Sequence, residues 1–375
     1  MDLFSMSLKS VEDHWNRLKN ASSTSFLKRN MTELIFKELK DKRTFFNGTL
    51  LDCIKGGCVN LDSGCGIYAS DPEAYDVFSG IFFPVIKDYH KVGTVSHPNP
   101  DFGDIDNLGF GDLDPSGRYI SSTRVRVGRS QAGFPFHPTA KLHDRVELES
   151  RAMEALQAFS GELEGTYYPL SEMSSTKQKE LTEEHYLFLQ ENRFLGDAHV
   201  YDEWPVGRGI FYNPDKTFLV WVNEEDHFRF ISMQQGSDLE AVYKRLVLAL
   251  RSVEEKSSVK FAHHPQLGYL TYCPSNLGTT LRASVHINIP CLASQPYFHE
   301  FLEKHHLQVR GVNGVHTEMV GDVYDISNKR RLGMTEIQIV REMIVGVQAV
   351  LAEEQRLDGS LTKSDGVQFE GNIAA

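Results

Sequence analysis

Cysteine is scarce in this chain, with five among 375 residues. Cys53, Cys58, Cys65, Cys273 and Cys291 form no CxxC pair. An odd, sparse set argues against a disulfide framework or a structural zinc site. No apolar run approaches the ~18 residues of a membrane span, so no membrane partner is expected. The start, MDLFSMSLKSVEDHW, has neither a basic nor an apolar segment, so no secretory leader is expected. The sequons at Asn20, Asn30 and Asn47 then read as chance, and the expected compartment is the cytoplasm. An excess of positive charge is also missing. Lys and Arg number 39 against 51 Asp and Glu, a net −12. Nucleic acid is therefore a poor partner, because its phosphates need a basic surface. No GxxxxGK[ST] loop and no GxGxxG opening a helix occurs. Asp101-Phe102-Gly103 spells a protein-kinase triplet, but without an HRD or VAIK segment it reads as coincidence.

What remains is the composition of a folded protein, 41% hydrophobic and 24% charged. At roughly 150 residues per domain the length suggests two or three units. From Ser10 to about Arg43 apolar residues recur at three and four, a helical pattern. Residues 74–90 read as another helix, broken or kinked near Pro84. Residues 93–117 are rich in Gly, Pro, Asp and Asn and read as a linker, with a domain boundary near residue 100. Beyond it, Tyr119–Val127, Thr217–Val222, Phe228–Gln234, Tyr269–Cys273 and Ala283–Ile289 read as strands. The turn Asn223-Glu-Glu-Asp226 makes a hairpin of two of them. Helices are expected at Leu142–Ser160, Thr176–Gln190, Leu239–Val253, Pro296–His306 and Thr335–Glu354. In the last, Ile337, Val340, Met343, Ile344, Val347, Val350 and Leu351 form one stripe. Strands and helices without strict alternation predict an α+β fold. The tail after residue 357 has few large apolar residues and reads as mobile.

The arginines are the informative signal. Arg124 and Arg126 stand two apart on a predicted strand, so both project from one face. Arg129 follows, Arg229 lies just inside the strand after the acidic hairpin, and Arg282 and Arg310 sit near Gly-rich turns. Any one reads as a solvated strand-edge cation. Five of these six, Arg124, Arg126, Arg229, Arg282 and Arg310, set at strand ends in an acidic protein, suggest a polyphosphate cradle, since guanidinium forks give bidentate, always-charged hydrogen bonds. Glu224, Glu225 and Asp226 read either as a solvated turn or as carboxylates that orient a basic substrate. Cys273 reads either as a buried structural cysteine or as a thiol activated by turn amides and Arg282. His185, His227 and His286 match no metal spacing.

Longer strings carry a resemblance: SGCGIYASDPEAY, STRVRVGRS, EGTYYPL, WPVGRGIF, FLVWVNEEDH, CPSNLGTTLRASVH and VYDISNKRRLG. The chain resembles the phosphagen (ATP:guanidino) kinases, and specifically their arginine kinase branch, from about residue 10 to 356. The resemblance implies a helical N-terminal domain over residues 1–100, a catalytic domain over 101–357 on an eight-stranded antiparallel sheet, and a tail over 358–375. It implies an ATP site of Ser122, Thr123, Arg124, Val125, Arg126, His185, Arg229, Arg282, Ala283, Ser284, Val285 and His286. The site continues through Arg310, Gly311, Val312, Asn313, Gly314 and Val315. Mg²⁺ would be held through the nucleotide. The guanidino substrate would meet Ser63, Gly64, Cys65, Gly66, Ile67 and Tyr68, a specificity loop, together with Val315. Glu225 would hold the guanidinium and act as, or orient, the base, and Cys273 would contact it as a thiolate.

The implied reaction is reversible transfer of the ATP γ-phosphoryl group to a guanidino nitrogen. The protein's part there is alignment and charge stabilisation. One position departs from the arginine kinase pattern RGxxGEHTE, since this chain reads Arg310-Gly-Val-Asn-Gly-Val315-His-Thr-Glu318. Val315 stands where those enzymes carry glutamate and where creatine kinases carry valine, yet the specificity loop is short, as in arginine kinases. Arginine leads as the expected substrate. Taurocyamine or hypotaurocyamine, and a weakly active nucleotide-binding paralogue, are the alternatives, and either a monomer or a homodimer fits.

Overall fold

The computed structural model describes residues 10–310 and 323–360. Residues 10–90 contain helices and no strand of the sheet, and the helical pattern from Ser10 to Arg43 resolves into three short helices. Polar caps cut the segment into Val11–Asn20, Phe26–Asn30 and Glu33–Leu39, with Ser10, Ser25 and Thr32 each accepting a backbone N–H. Leu50–Val59 follows, again with a capping box, and then the short Ala74–Val77. Pro84 does not break its helix, which runs unbroken over Ser79–His90. The interruption falls at Phe78 instead, and Pro84 forfeits only one intrahelical hydrogen bond.

The larger part is built on strands β1 (Ile120–Arg129), β2 (Thr166–Pro169), β3 (Gly209–Tyr212), β4 (Phe218–Val222) and β5 (Phe228–Gln235). It continues with β6 (His263–His264), β7 (Gly268–Tyr269), β8 (Arg282–Asn288), β9 (Leu307–Arg310) and β10 (Val323–Asn328). Eight of them form an antiparallel sheet in the order β2-β3-β4-β5-β1-β8-β10-β9, and β6 pairs with β7 apart from it. One face of β1 and β8 is apolar: Val125, Val127, Ala283, Val285 and Ile287 are fully buried. Packed on that face are Leu239–Lys256 and Glu336–Leu357, and the predicted stripe of the latter, Ile337 to Leu351, is buried throughout. The opposite face of β1 carries the polar residues.

Three expectations change. Residues 93–117 form no helix or strand but are docked rather than free, with Ile105, Leu108 and Leu113 in the main core. Asp101 accepts the Ile337 N–H at 3.0 Å, and Gly103, at φ +72°, lies against the Ile337 side chain. The Asp-Phe-Gly triplet is thus an anchor for the last helix. Thr176–Gln190 shortens to Ser175–Glu183, because His185 turns left-handed (φ 60°) and Tyr186 and Leu187 donate back to the Leu181 carbonyl. Tyr269–Cys273 is extended but hardly a strand. Leu270 N–H bonds Ala262 O, Tyr272 N–H bonds Asp226 Oδ1, and Tyr272 O accepts from Ala69, so its partners are scattered loops rather than one ladder.

Candidate active site

Strand register assembles the arginines. Directly opposed residues of an antiparallel pair share a face. Across β1 and β8, Ser122 opposes His286, Arg124 opposes Ser284 and Arg126 opposes Arg282. Across β1 and β5, Gly128 opposes Arg229, and β10 sets Asp325 between His286 and Arg310. Five arginines from four strands therefore project from one face. Arg129, three residues after Arg126, falls on the other face, fully buried, with Nη1 on Thr279 O and Thr280 Oγ1 and its guanidinium 3.5 Å from the Tyr269 ring. The same alternation turns the Thr123, Val125, Ala283 and Val285 side chains into the core, none more than 1% exposed, and leaves only their backbone toward the arginine face.

Two of the five are partly neutralised. Arg229 bridges Glu224 (2.9 Å) and Glu225 (2.7 Å), and Arg282 bonds Asp325 (2.7 Å) and Ser327 Oγ (3.1 Å). The side chains of Arg124, Arg126 and Arg310 have neither an ion pair nor a hydrogen bond among the described residues. Burial, then Arg229, Arg282, Arg124 and Arg310, push the Arg126 guanidinium well below its usual value. Burial and Arg282 push Arg124 and Arg310 down to about 10. A like-charged pair directly opposed in a sheet is destabilising by roughly 0.2–1 kcal/mol.

Beside it lies the acidic turn. Glu225 Oε2 faces Arg229, and Oε1 accepts from Asn276 Nδ2 at 3.2 Å. Asp226, pushed up to about 8 by burial and the Glu225 carboxylate, accepts the Tyr272 N–H at 3.0 Å. Cys273 is buried, its Sγ 3.0 Å from Ser275 Oγ. Contact with Cys65, burial and the Glu225 carboxylate push its thiol well up. Arg282, the cation weighed in the sequence as an aid to that thiol, is paired with Asp325 at 2.7 Å.

The loop Ser63–Tyr68 closes this end. The Gly64 and Cys65 carbonyls accept from Phe26 and Leu27, while the Gly64, Cys65 and Gly66 amides have no acceptor among the described residues. Ile67 anchors the loop in the core, and Tyr68 stacks on Tyr272 at 4.7 Å with its hydroxyl 3.2 Å from Ser63 Oγ. Gly57 makes this possible: a Cβ there would stand 2.0 Å from Gly66 O. His286 Nδ1 lies 3.0 Å from Ser122 Oγ, at the far edge of the arginine face. His185 is exposed, one residue from Tyr186, whose carbonyl holds Trp221 Nε1. Gly311, Val312, Asn313, Gly314 and Val315 lie outside the described residues. Asn276 and Arg331 also line the cleft. Their strings, CPSNLGT and NKRRLG, were visible in the sequence, but only the pairing of distant turns brings them to the acidic group. Among the described residues no group of three or more His, Cys, Asp or Glu is placed to hold a metal ion, and no helix is long and apolar enough to cross a membrane.

Comparison with known families decides the assignment. Residues 147–357 match the ATP:guanido phosphotransferase C-terminal catalytic domain, and residues 21–87 match the N-terminal domain of the same family. The chain belongs to the ATP:guanido phosphotransferases. As a member it is a guanidino kinase with the helical domain and eight-stranded sheet of that family. It is 57% identical to an arginine kinase of Liolophura japonica over 342 residues, 91% of this chain and 97% of that one. Among solved structures, the substrate-free duplicated taurocyamine kinase of Schistosoma mansoni superposes with a TM-score of 0.89 at 46% identity. That match covers 96% of this chain and 51% of the other, so the chain spans about half of the duplicated protein. A lombricine kinase superposes with a TM-score of 0.86 at 37% identity, covering 92% of this chain and 95% of the other.

Proposed function

We propose that this ATP:guanido phosphotransferase reversibly moves the γ-phosphoryl group of ATP to the guanidino nitrogen of L-arginine, in the cytoplasm. The observation that carries the reading is the cross-strand pair Arg126–Arg282, set among three further arginines and adjoining a carboxylate. A site that pairs like charges in its apo form gains most when a polyphosphate enters. Arg124, Arg126, Arg229, Arg282 and Arg310 grip the phosphates, with Ser122, Ser284 and His286 along the same face and His185 and residues 311–315 beside the nucleotide. Mg²⁺ enters with the phosphates and neutralises part of their charge. The buried acids suit this, since Glu224 is spent on Arg229 and Asp226 on a backbone amide.

Opposite the phosphates, Glu225 and Cys273 hold the acceptor. A guanidinium is protonated near neutral pH and its lone pairs are delocalised, so it must be held in line and lose a proton as it attacks. Glu225 takes or directs that proton. The free amides of Gly64, Cys65 and Gly66 suit the carboxylate at the other end of an amino acid. Their position against Tyr68, Tyr272 and Cys273 fixes the distance between the two ends. We take residues 1–100 and 101–357 as the two domains, with this cleft between them.

Val315 favours a second reading, in which taurocyamine or hypotaurocyamine is preferred. A ³¹P NMR panel over arginine, taurocyamine, hypotaurocyamine, creatine, glycocyamine and lombricine separates the two. Phosphoarginine as the fastest product is the expected result, and no phosphoguanidine from any acceptor overturns the assignment of activity.

A further inference from the structure

Glu225 has both carboxylate oxygens engaged before any substrate arrives. Arg229 Nη2 donates to Oε2 at 2.7 Å, and Asn276 Nδ2 donates to Oε1 at 3.2 Å. The Asn276 amide is itself held. Arg331 Nη1 donates to Asn276 Oδ1 at 2.7 Å and to the Ser275 carbonyl at 3.0 Å. A guanidinium only donates, so Oδ1 must face Arg331 and Nδ2 must face Glu225. Arg331 is 6% exposed and grips the Pro274–Asn276 turn from the segment after β10. Three segments far apart in sequence thus meet in one chain of hydrogen bonds.

We propose that Asn276 and Arg331 are positioning residues that set the direction of the Glu225 carboxylate, neither of them touching the transferred group. The inference rests on the role given to Glu225 above. Without Arg331 the Asn276 amide is free to turn, and its oxygen, once facing Glu225, repels the carboxylate. Without Asn276, Oε1 loses its donor and the carboxylate can swing about the Arg229 contact. Either change misaligns the base without emptying the phosphate site.

Steady-state kinetics on a double-mutant cycle test this. A donor to a charged oxygen is worth enough that Asn276→Ala lowers kcat roughly 10- to 100-fold, while KM for ATP stays within about two-fold. In a Glu225→Gln background the same substitution changes kcat less than about two-fold, because it acts through Glu225. Arg331→Met reproduces the loss and adds little to Asn276→Ala, and Arg331→Lys, which still donates to Oδ1, recovers part of it. Asn276→Ser serves as a second variant, and ADP binding by calorimetry reports folding for all of them. An Asn276→Ala loss of equal size in both backgrounds overturns the relay, as does an Arg331→Met effect confined to KM for ATP. If Glu225→Gln alone leaves turnover intact, the underlying reading of Glu225 fails, and the relay with it.

Discussion

Replacing Arg126 by methionine should stabilise the protein without nucleotide and weaken it, relative to the wild type, with nucleotide. Methionine keeps an unbranched apolar stem and removes the guanidinium with its charge and its donors. The Arg126 side chain has no hydrogen-bond or ion-pair partner among the described residues and directly opposes Arg282, with Arg229, Arg124 and Arg310 adding to the repulsion. Relief of one opposed like-charged pair is worth roughly 0.2–1 kcal/mol. Removing a half-buried charge with no partner adds about 1 kcal/mol more. A net gain of about 1–2 kcal/mol follows, a rise of a few degrees in Tm. Nucleotide reverses the order. At a concentration of about 100 Kd, MgADP stabilises the wild type by about 2.7 kcal/mol. Loss of the Arg126 contacts weakens Kd by roughly 100-fold, which leaves the variant about 0.4 kcal/mol at the same concentration. Scanning calorimetry with and without MgADP reads both numbers. A variant that melts below the wild type without nucleotide, or equal shifts for both with it, would refute the view of this face as an anion site held in reserve.

Other perturbations probe the neighbouring parts. Gly57→Ala forces a Cβ to within 2.0 Å of Gly66 O, so the loop Ser63–Tyr68 must move. Overpacking of this kind costs about 1–3 kcal/mol, and KM for the guanidine should rise while KM for ATP holds; unchanged kinetics would show that the loop does not contact the acceptor. Val315→Glu restores an acceptor for the guanidinium, and arginine turnover should rise roughly 10- to 150-fold if that hydrogen bond limits it; no rise removes Val315 as the limiting position. Burial pushes His227 down to about 4; its Nδ1 accepts the Gln131 N–H and its Nε2 donates to Pro135 O, so the folded protein keeps it neutral. The unfolded chain protonates it near pH 6.5, so its contribution is complete above that pH and is lost toward pH 4, by up to about 1.4 kcal/mol per pH unit. The stability gap between wild type and His227→Asn in urea should narrow over that range, and a constant gap counts against the burial of a neutral imidazole.

What could be read in the sequence follows from the range of the interactions concerned. The period of two in STRVR places Arg124 and Arg126 on one face, and it holds because alternation is a property of the single strand. The stripe from Ile337 to Leu351 is local in the same way. That Arg126 faces Arg282, or that Gly128 faces Arg229, depends on register between strands that are scores of residues apart, and no local pattern encodes it. Tyr269–Cys273 shows the limit in the other direction. Its composition is that of a strand, yet Ala262, Asp226 and Ala69 take its hydrogen bonds one by one, and so hold Cys273 against the loop that carries Cys65. The segment is extended in order to carry a turn, not to extend a sheet. The same reasoning explains why Asn276 and Arg331 escaped notice as a pair: each is an ordinary polar residue in its own string, and only the meeting of the two turns gives the amide one permitted orientation. Chemistry distributed over nonlocal contacts is invisible to periodicity, whereas the opposed arginines declare it as soon as the register is known, because two buried like charges are tolerated only where a third partner is due.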